Sequence, residues 1–252
     1  MTHKLGWIPD LPDTRDHMYS APLEHIAALP PSADLRPGCP PVYDQGNLGS
    51  CTANAIAGAI EFDRVKQGLP DFTPSRLFIY FNERVMEHTV SSDSGAMIRD
   101  GIKSVNKQGA CSEPEWPYDI SQFTTRPSAL CYQQAQLDKA VSYQRVTRNL
   151  TQMKACLASG YPFVYGFTVY SSFESQDVAG RGIVPMPGPD EQVLGGHAVL
   201  CCGYKDDVQR FICRNSWGTG WGINGTGYFE IPYEYLMNKG LASDFWTIRT
   251  IG

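Results

Sequence analysis

The spacing of apolar residues changes once along this chain, and that change limits the folds open to it. Apolar residues recur at helical spacing after Cys51, and later they gather in short runs of β-branched and aromatic residues. The helix-like stretches are 51–67, 75–87, 96–107 and 150–158, and the strand-like stretches are 163–170, 197–204, 210–214 and 225–231. Helices precede strands, which predicts an α+β protein with a helical half, a sheet half and a groove between them.

The composition indicates a globular protein with neither nucleic acid nor membrane as a partner. Of the 252 residues, 42% are hydrophobic and 19% are charged, and the formal net charge is −5. No block of basic residues stands out, so we expect no nucleic-acid binding. No apolar run approaches the roughly eighteen residues of a membrane span, so we expect no membrane association.

The N-terminus and the cysteines leave the cellular compartment open. The first ten residues lack the apolar stretch of a secretory signal, yet this does not separate a secreted from a cytoplasmic protein. None of the eight cysteines forms a Cys-x-x-Cys pair or a cluster with zinc spacing, so we expect no metal and no cofactor. Cys201, Cys202 and Cys213 stand in apolar, strand-like sequence and are expected to be buried thiols.

Residues 1–29 differ in character from residues 30–252. The first twenty residues are rich in proline, aspartate and aromatic residues without a clear period, and residues 23–29 can make two helical turns. Pro30 and Pro31 then stop any helix. We therefore divide the chain into an N-terminal segment, 1–29, and a single larger domain, 30–252.

Cys51 is the candidate nucleophile. It follows a loop that contains Gly46 and Gly49, and it opens the first predicted helix. The positive end of the helix dipole favours the thiolate, which is the nucleophilic form of cysteine. The sequence therefore predicts a thiol at Cys51 with a lowered pKa.

His197 is the candidate base, and Asn215 is its candidate partner. Gly195 and Gly196 precede His197 and clear space for the close approach of another backbone or of a substrate. If the two strands that follow His197 pair as a hairpin, Asn215 comes to the same end as His197. An amide oxygen there can hold the imidazole ring toward Cys51.

Three further side chains complete the candidate site. Gln45 lies six residues before Cys51, and its amide can donate to the oxygen that becomes negative when sulfur attacks a carbonyl. Together with the backbone N–H of Cys51 it would form an oxyanion hole. Trp217 and Trp221 follow Asn215 in a glycine-rich loop, where an indole can shield the Asn–His hydrogen bond from water.

The motifs around these residues resemble those of the papain and cathepsin family of cysteine peptidases, in particular a bacterial-type member with a short N-terminal segment. They are Pro-Val-Tyr-Asp-Gln-Gly-x-x-Gly-Ser-Cys ending at Cys51, Gly-His-Ala around His197, and Arg-Asn-Ser-Trp-Gly-x-x-Trp-Gly around Asn215. His197 lies 146 residues after Cys51, within the roughly 130–150 residues that separate the two in this family.

The resemblance implies a two-lobe papain-like fold, with a helical left lobe, a β-sheet or barrel right lobe and the active-site cleft between them. It implies a catalytic triad of Cys51 as nucleophile, His197 as base and then acid, and Asn215 as the residue that orients the ring. Gln45 would be an oxyanion donor. The reaction would be hydrolysis of peptide bonds through a thioester, as an endopeptidase.

The resemblance also implies substrate-binding positions and partners. Gly95 matches the glycine whose backbone binds the substrate as a short strand, and Gly196 and Trp217 line the same cleft. Trp221 would border the leaving-group side. Polypeptides would be the substrates and protein inhibitors the other partners of a monomeric enzyme.

Two residues depart from the family pattern. Thr52 follows the nucleophile where the family usually has an aromatic residue. Leu48 stands where the family has a disulfide-bonded cysteine, so that disulfide is absent. Two other functions stay open: an acyl-transferase or amidase with the same triad, and an inactive homologue that only binds peptides.

The N-terminal segment has two interpretations. By resemblance it is a propeptide that covers the cleft and keeps the enzyme a zymogen, with Trp7, Ile8, Pro9, Leu11 and Tyr19 lying in the groove. The alternative is a strap that only packs on the surface.

Overall fold

The computed structural model describes residues 3–252 of the chain. Over these residues the helices are α1 (Leu23–Ala27), α2 (Cys51–Lys66), α3 (Arg76–Met86), α4 (Ile98–Gln108), α5 (Ala129–Ala135), α6 (Leu150–Ala158), α7 (Gln176–Arg181) and α8 (Tyr233–Met237). The strands are β1 (Met18–Tyr19), β2 (Ser32–Asp34), β3 (Ala140–Val146), β4 (Phe163–Tyr170), β5 (Val193–Lys205), β6 (Arg210–Arg214), β7 (Tyr228–Pro232) and β8 (Ala242–Ile251). The predicted α+β class is confirmed.

The strands of residues 3–252 join in one sheet. Its order is β1-β3-β8-β4-β5-β6-β7, and β2 pairs with β5 as well. Strands β1 and β3 run parallel, while the other neighbours are antiparallel. Strands β5 and β6 form the predicted hairpin, in which Leu200 pairs with Arg214. This pairing brings the start of β5 and the residue after β6 to the same end of the sheet.

Helix α2 lies between the sheet and the other helices of the first half. All of its residues from Cys51 to Arg64 are buried, because small and apolar side chains surround it on every face. It packs against Ile102 of α4 on one side and against Leu200 and Trp246 of the sheet on the other. A helix enclosed in this way holds its first residue in a fixed place.

The apolar interior divides along the two faces of the sheet. In β5, Ala198 and Leu200 point toward α2, while Val199 and Cys201 point into a second core on the opposite face. This alternation follows from the two-residue period of a strand. The helical half therefore rests on one face of the sheet, and an aromatic-rich core fills the other.

Several elements differ from the sequence-based prediction. Strands β3 and β8 and helices α5 and α7 were not predicted, and β5 begins at Val193 rather than at His197. In β8 the pattern is broken by Asp244, which adopts a left-handed φ of 59°. The predicted helices near 51, 75, 96 and 150 and the two turns after Leu23 are all present. No helix within residues 3–252 is long and apolar enough to cross a membrane.

Candidate active site

Cys51 lies at the start of α2, and its side chain is fully buried. The loop before it is tied down by Gly49, whose N–H donates to the Asp93 carboxylate at 3.0 Å. The backbone N–H groups of Ala198 and Gly6 act on the thiol and lower its pKa. The strand that carries His197 and the N-terminal segment therefore both reach the sulfur.

The predicted lowering of the Cys51 pKa is wrong for this structure. Burial raises the pKa of Cys51 to about 12, and the backbone N–H groups of Ala198 and Gly6 oppose this only in part. Burial likewise lowers the pKa of His197 to about 4. Desolvation outweighs the helix dipole here because both side chains are sealed from solvent. At neutral pH the site holds a neutral thiol and a neutral imidazole.

The imidazole of His197 is fixed by Asn215. Its Nε2 lies 2.8 Å from Asn215 Oδ1, and the backbone N–H of Ser216 donates to the same oxygen at 2.8 Å. A carbonyl oxygen can only accept, so Nε2 carries the proton and the neutral ring keeps a lone pair on Nδ1. That Nδ1 is buried and has no hydrogen-bond partner among residues 3–252. The structure thus brings the predicted His–Asn pair together and leaves the second ring nitrogen available.

Two tryptophans and a phenylalanine cover this pair. The ring of Trp217 lies 5.1 Å from that of His197, centroid to centroid, at a tilt of 33°. Phe173 and Trp221 pack edge-on against Trp217 at 5.3 Å each. Trp217 therefore lies where it was predicted, beside the imidazole. Trp221 forms the next layer outward, and its predicted place beside a leaving group stays a prediction.

Gln45 is buried, and hydrogen bonds at both the oxygen and the nitrogen of its side-chain amide fix its orientation. Its Oε1 accepts from Ser216 Oγ at 2.6 Å, and its Nε2 donates to the carbonyl oxygens of Leu48 and Lys4 at 2.9 Å each. A carbonyl oxygen of the N-terminal segment thus occupies a donor site that was predicted for the oxyanion. Ser216 was not predicted as a site residue, although it directly follows Asn215 in the motif.

Thr52, the departure from the family pattern, contacts a buried carboxyl group. Its Oγ1 donates to Glu83 Oε2 at 2.9 Å beneath the start of α2. Burial raises the pKa of Glu83 well above its ordinary value, which favours the protonated form of its carboxyl group. Gly101 makes room for this carboxyl, since a Cβ there would lie 2.2 Å from Glu83 Oε1. The sequence did not indicate Glu83, because a glutamate on an amphipathic helix is usually exposed.

Residues 3–9, here called the cleft segment, lie directly across these groups. The N–H of Trp7 donates to Gly196 O at 2.9 Å, the N–H of Ala96 donates to Gly6 O at 2.8 Å, and the N–H of Ile8 donates to Ala96 O at 3.0 Å. Trp7 and Ala96 therefore pair as in a parallel sheet.

The structure gives Gly95 and Ala96 different parts in this pairing. Ala96 makes two of the three backbone hydrogen bonds to the cleft segment, while Gly95 permits its close approach. The φ of Gly95 is +77°, and a Cβ on Gly95 would lie 2.1 Å from Gly6 O. No sequence signal marks Ala96, because it acts through its main chain.

The indole of Trp7 fills a space that two glycines leave open. A Cβ on Gly166 would lie 1.9 Å from the Trp7 ring, and one on Gly196 would lie 2.4 Å from Trp7 O. Trp7 is 9% exposed and belongs to the core around α2. Gly196 therefore has the close-approach role that was predicted for it, and the approaching backbone is the chain's own.

Residues 10–19, here called the anchor segment, bind to the sheet by charged groups. Asp10 accepts from the backbone N–H of Arg99 at 3.0 Å and from Trp246 Nε1 at 2.9 Å. Asp16 accepts from Arg99 at 2.7 Å and from Arg145 at 2.8 Å, and its side chain is only 4% exposed. Its last two residues form β1 beside β3.

The remaining polar groups form no evident metal centre. Within residues 3–252, no three or more histidine, cysteine, aspartate or glutamate side chains are grouped so as to hold a metal ion.

Comparisons with known proteins agree with this arrangement. The family model described as papain family cysteine protease matches residues 29–246. An uncharacterized peptidase C1-like protein of Acanthamoeba polyphaga mimivirus is 42% identical over 276 residues, which cover 100% of this chain and 88% of that protein. A cathepsin B-like protein of Giardia intestinalis is 34% identical over 229 residues, which cover 80% of this chain and 69% of that protein.

A solved structure extends the similarity to the whole fold. The crystal structure of xylellain, a cysteine protease from Xylella fastidiosa, matches with a TM-score of 0.92 and 48% sequence identity, covering 98% of this chain and 96% of that chain. The predicted papain-like fold and peptidase class are thereby confirmed, and enzymes of this class act on polypeptides. The chain belongs to the papain family of cysteine proteases.

Proposed function

We propose that Cys51, His197, Asn215 and Gln45 hydrolyse peptide bonds, and that the cleft segment keeps this site closed until it is displaced. The observation that carries the proposal is the His197 Nε2–Asn215 Oδ1 hydrogen bond of 2.8 Å, which leaves Nδ1 as the basic nitrogen. The backbone N–H of the next residue, Ala198, acts on the Cys51 thiol and lowers its pKa. The base and the nucleophile are thus carried by adjoining parts of the fold.

The reaction proceeds in two stages. The Cys51 proton passes to His197 Nδ1, the sulfur attacks the peptide carbonyl carbon, and the imidazolium returns the proton to the leaving amine. A thioester remains. Water, deprotonated by the same nitrogen, then attacks the thioester, and the thiol is released with its proton restored. Asn215 keeps the ring in one orientation through both stages.

Gln45 and the start of α2 stabilise the negative oxygen of each tetrahedral intermediate. The N–H of Cys51 belongs to the first turn of the helix and has no intrahelical acceptor. Gln45 Nε2 is already held in place through its own Oε1. Each donor of this kind is worth about 3 kcal/mol of transition-state stabilisation.

The path of the cleft segment supports an endopeptidase. His3 stacks on Trp217, with ring centroids 4.9 Å apart, and Ile8 pairs with Ala96 beyond the nucleophile. The chain therefore extends to both sides of Cys51. A groove that accommodates a peptide on both sides of the nucleophile can also hold the interior of a substrate.

The direction of the cleft segment supports self-inhibition. From His3 to Ile8 it runs from the Trp217 side, through Gln45 and Cys51, to the Ala96 edge. By family resemblance the acyl part of a substrate lies at this edge and the leaving group on the tryptophan side. The segment therefore runs opposite to a substrate, and it fills the donor site of Gln45 without offering a correctly placed peptide bond.

The proposed division of the chain into two parts is consistent with the family match. Residues 1–29 form the inhibitory segment and residues 30–252 the peptidase domain, and the family model likewise begins at residue 29. The mimivirus protein and xylellain align with nearly the whole chain, N-terminal segment included.

A glycine-to-alanine substitution in the full chain tests the closed state. A Cβ on Gly6 would lie 2.0 Å from the carbonyl oxygen of Gly49, which is backbone and cannot move aside. Gly6→Ala should therefore displace the cleft segment and speed both iodoacetamide labelling of Cys51 and hydrolysis of an unstructured peptide by about tenfold, the effect of about 1.4 kcal/mol. The matched control is Gly180→Ala, because a Cβ on Gly180 meets nothing within 4 Å. Equal rates for the two variants would contradict self-inhibition.

The catalytic assignment has its own test in the Gly6→Ala background. Cys51→Ala and His197→Ala should each remove hydrolysis by a factor of about 10³ or more, while circular dichroism shows an intact fold. A Cys51→Ala protein that still cleaves would refute the thiol mechanism. Transfer of the acyl group to an added amine in preference to water would identify an acyl-transferase, the alternative that shares the same triad.

A further inference from the structure

A series of hydrogen bonds runs beneath the two oxyanion donors and ends on the backbone of Gln45. The Tyr118 hydroxyl donates to the carbonyl oxygen of Gln45 at 2.9 Å and lies 2.5 Å from Ser50 Oγ. The single hydroxyl proton of Tyr118 goes to Gln45, so the Ser50 hydroxyl donates to Tyr118. One side chain thus contacts both the residue that carries one oxyanion donor and the residue that precedes Cys51.

The same series fixes the direction of the Cys51 N–H. That N–H belongs to the peptide unit whose carbonyl is Ser50 O, and the two groups point in opposite directions because the unit is planar and trans. Ser50 O accepts from the backbone N–H of Asn54 at 3.0 Å and from Asn54 Nδ2 at 2.9 Å. Asn54 Nδ2 also lies 3.1 Å from Ser50 Oγ. Bonds that orient Ser50 therefore orient the second oxyanion donor.

A buried arginine supports the series from its other end. Arg76 donates to Asn54 Oδ1 at 3.3 Å, and its guanidinium carbon lies 4.0 Å from the centroid of the Tyr118 ring. Glu113 accepts from Arg76 Nε at 3.0 Å and holds the guanidinium in place. The donors therefore follow one another in a single direction from Arg76 to Gln45 O, and hydrogen bonds in such a sequence strengthen one another.

Burial leaves these groups no alternative partner. Gln45, Ser50 and Asn54 are each 0% exposed, so a group that loses its bond here cannot turn to water instead. Tyr118 comes from the loop between α4 and α5, outside the motifs that carry the nucleophile and the base. Removing its hydroxyl would thus loosen both donors while leaving the sulfur and the imidazole untouched.

We propose that Tyr118 is a positioning residue that keeps the two oxyanion donors, Gln45 Nε2 and the N–H of Cys51, at a fixed separation. This role rests on the proposed function, in which those two groups hold the negative oxygen. A donor stabilises that charge only where it points at the position of the oxygen. Tyr118 acts through Gln45 and Ser50, so its loss should slow the chemical step without weakening substrate binding.

The test removes one oxygen atom, by Tyr118→Phe in the full chain that carries Gly6→Ala. For an unstructured peptide, kcat should fall by about tenfold while KM stays within about twofold, since complete loss of an oxyanion donor costs about 10²–10³ in kcat. The matched control is Tyr132→Phe, because the Tyr132 hydroxyl donates to Asn82 Oδ1 at 3.0 Å beside a separate apolar cluster. The control should leave both constants unchanged.

Two reagents separate positioning from a general loss of structure. When a dipeptide aldehyde bonds to the Cys51 sulfur, its C=O π bond opens, and the oxygen that takes up the thiol proton lies at the oxyanion donors. Iodoacetamide alkylates the same sulfur by losing iodide from a saturated carbon, so no oxyanion forms. Tyr118→Phe should weaken aldehyde binding by about fivefold and leave the alkylation rate unchanged. An unchanged alkylation rate also shows that the cleft segment has not shifted.

The outcomes separate this role from the proposed function. Equal kcat values for Tyr118→Phe and Tyr132→Phe would overturn the role of Tyr118 and leave the proposed function standing. A proportional loss of hydrolysis and alkylation would also overturn it, because a loosened fold would then be the cause. A parent that neither hydrolyses the peptide nor binds the aldehyde would overturn the proposed function, and the role of Tyr118 with it.

Discussion

The cleft segment and the anchor segment are adjacent in sequence, yet they bind the rest of the protein in different ways. Residues 3–9 use backbone hydrogen bonds to Ala96 and Gly196, close approach at glycines, and one buried indole. Residues 10–19 use carboxylates on Arg99 and Arg145 and a short strand.

Because of this difference, a substrate could replace the contacts of the cleft segment but not those of the anchor segment. The edges at Ala96 and Gly196 can pair with any peptide backbone, so a substrate competes with the cleft segment for them. Arg99 and Arg145, which bind the anchor segment, are not groups that a substrate backbone would compete for. Under the proposed function, residues 3–9 act as a removable cover, and residues 10–19 hold that cover near the cleft.

The largest expected effect comes from removing the indole of the cover. Trp7→Ala should weaken docking of the cleft segment by about 3–5 kcal/mol, the usual cost of truncating a buried large aromatic residue. Labelling of Cys51 by iodoacetamide should accelerate by about 100-fold or more. The control is Leu11→Ala, since the Leu11 side chain is 68% exposed. If Trp7→Ala labels no faster than Leu11→Ala, the indole does not hold the cover.

The next effect should appear in stability rather than in access to the nucleophile. Asp16→Asn leaves Arg99 and Arg145 without their shared carboxylate, and breaking such a buried pair costs about 3 kcal/mol of unfolding free energy. Urea denaturation measures this loss. Cys51 labelling should rise less than in Trp7→Ala, because the cleft segment keeps its own contacts. The control is Asp13→Asn, whose partners Arg15 and Lys103 are 85% and 35% exposed, and it should change both readouts much less. A larger increase in Cys51 labelling for Asp16→Asn than for Trp7→Ala would show that the cleft segment and the anchor segment detach together as one unit.

A smaller effect concerns pH. Burial, and then the charge of Asp244, raises the pKa of Asp10 to about 6 in the docked chain, from an ordinary value of 3.8. Docking therefore takes up a proton between these two values, so it is tightest below pH 4 and weakens as the pH rises through 6. The groups facing Asp10 are Arg99, Asp244 and Trp246, and the charge of Glu87 acts on the same cluster.

Hydrogen exchange can measure this dependence. The protection factors of the Trp7 and Ile8 amides should be greater at pH 4 than at pH 7, by up to about 2 kcal/mol of opening free energy. Asp10→Asn, which cannot ionise, should flatten the profile. A profile that rises with pH in the parent would show that another group controls docking.

The smallest effect is expected at the end of the cover. His3 stacks on Trp217 and lies 3.4 Å from Asp44, whose side chain is 60% exposed. Burial lowers the pKa of His3, so the ring is neutral at pH 7 and the ion pair contributes little. His3→Ala should speed Cys51 labelling by about threefold through loss of stacking, and His3→Phe should retain the parent rate. Equal Cys51 labelling rates for His3→Ala and His3→Phe would show that stacking on Trp217 does not help to hold the cleft segment.

The positions of the candidate catalytic groups could be predicted because the motifs that carry them are local. Cys51 opens a helix of small and apolar residues, and His197 and Asn215 lie on and directly after the strands of a hairpin that are close in sequence. Residue type and short spacing were enough to place these side chains. The predicted hydrogen bond between the ring and the amide follows from that hairpin.

The state of the site could not be predicted, because it depends on distant contacts. Burial raises the pKa of Cys51 while the backbone of Gly6 opposes this in part, and no local pattern relates residues 6 and 51. Asp10 N donates to Asp244 across 234 positions of sequence. Strand β8 was not predicted for a related reason. Polar residues such as Asp244 interrupt its strand pattern, and their hydrogen-bond partners lie far away in sequence.

The parallel pairing of Trp7 with Ala96 has a consequence for modifying this enzyme. Main-chain hydrogen bonds do not read side chains, so the cover is defined by a glycine that fits beside Gly49 and a bulky ring that fits over Gly166. Other sequences that keep those two features can replace the natural cover. A recognition sequence for a second protease, grafted into the intervening positions, would turn the chain into a switch that an outside enzyme sets.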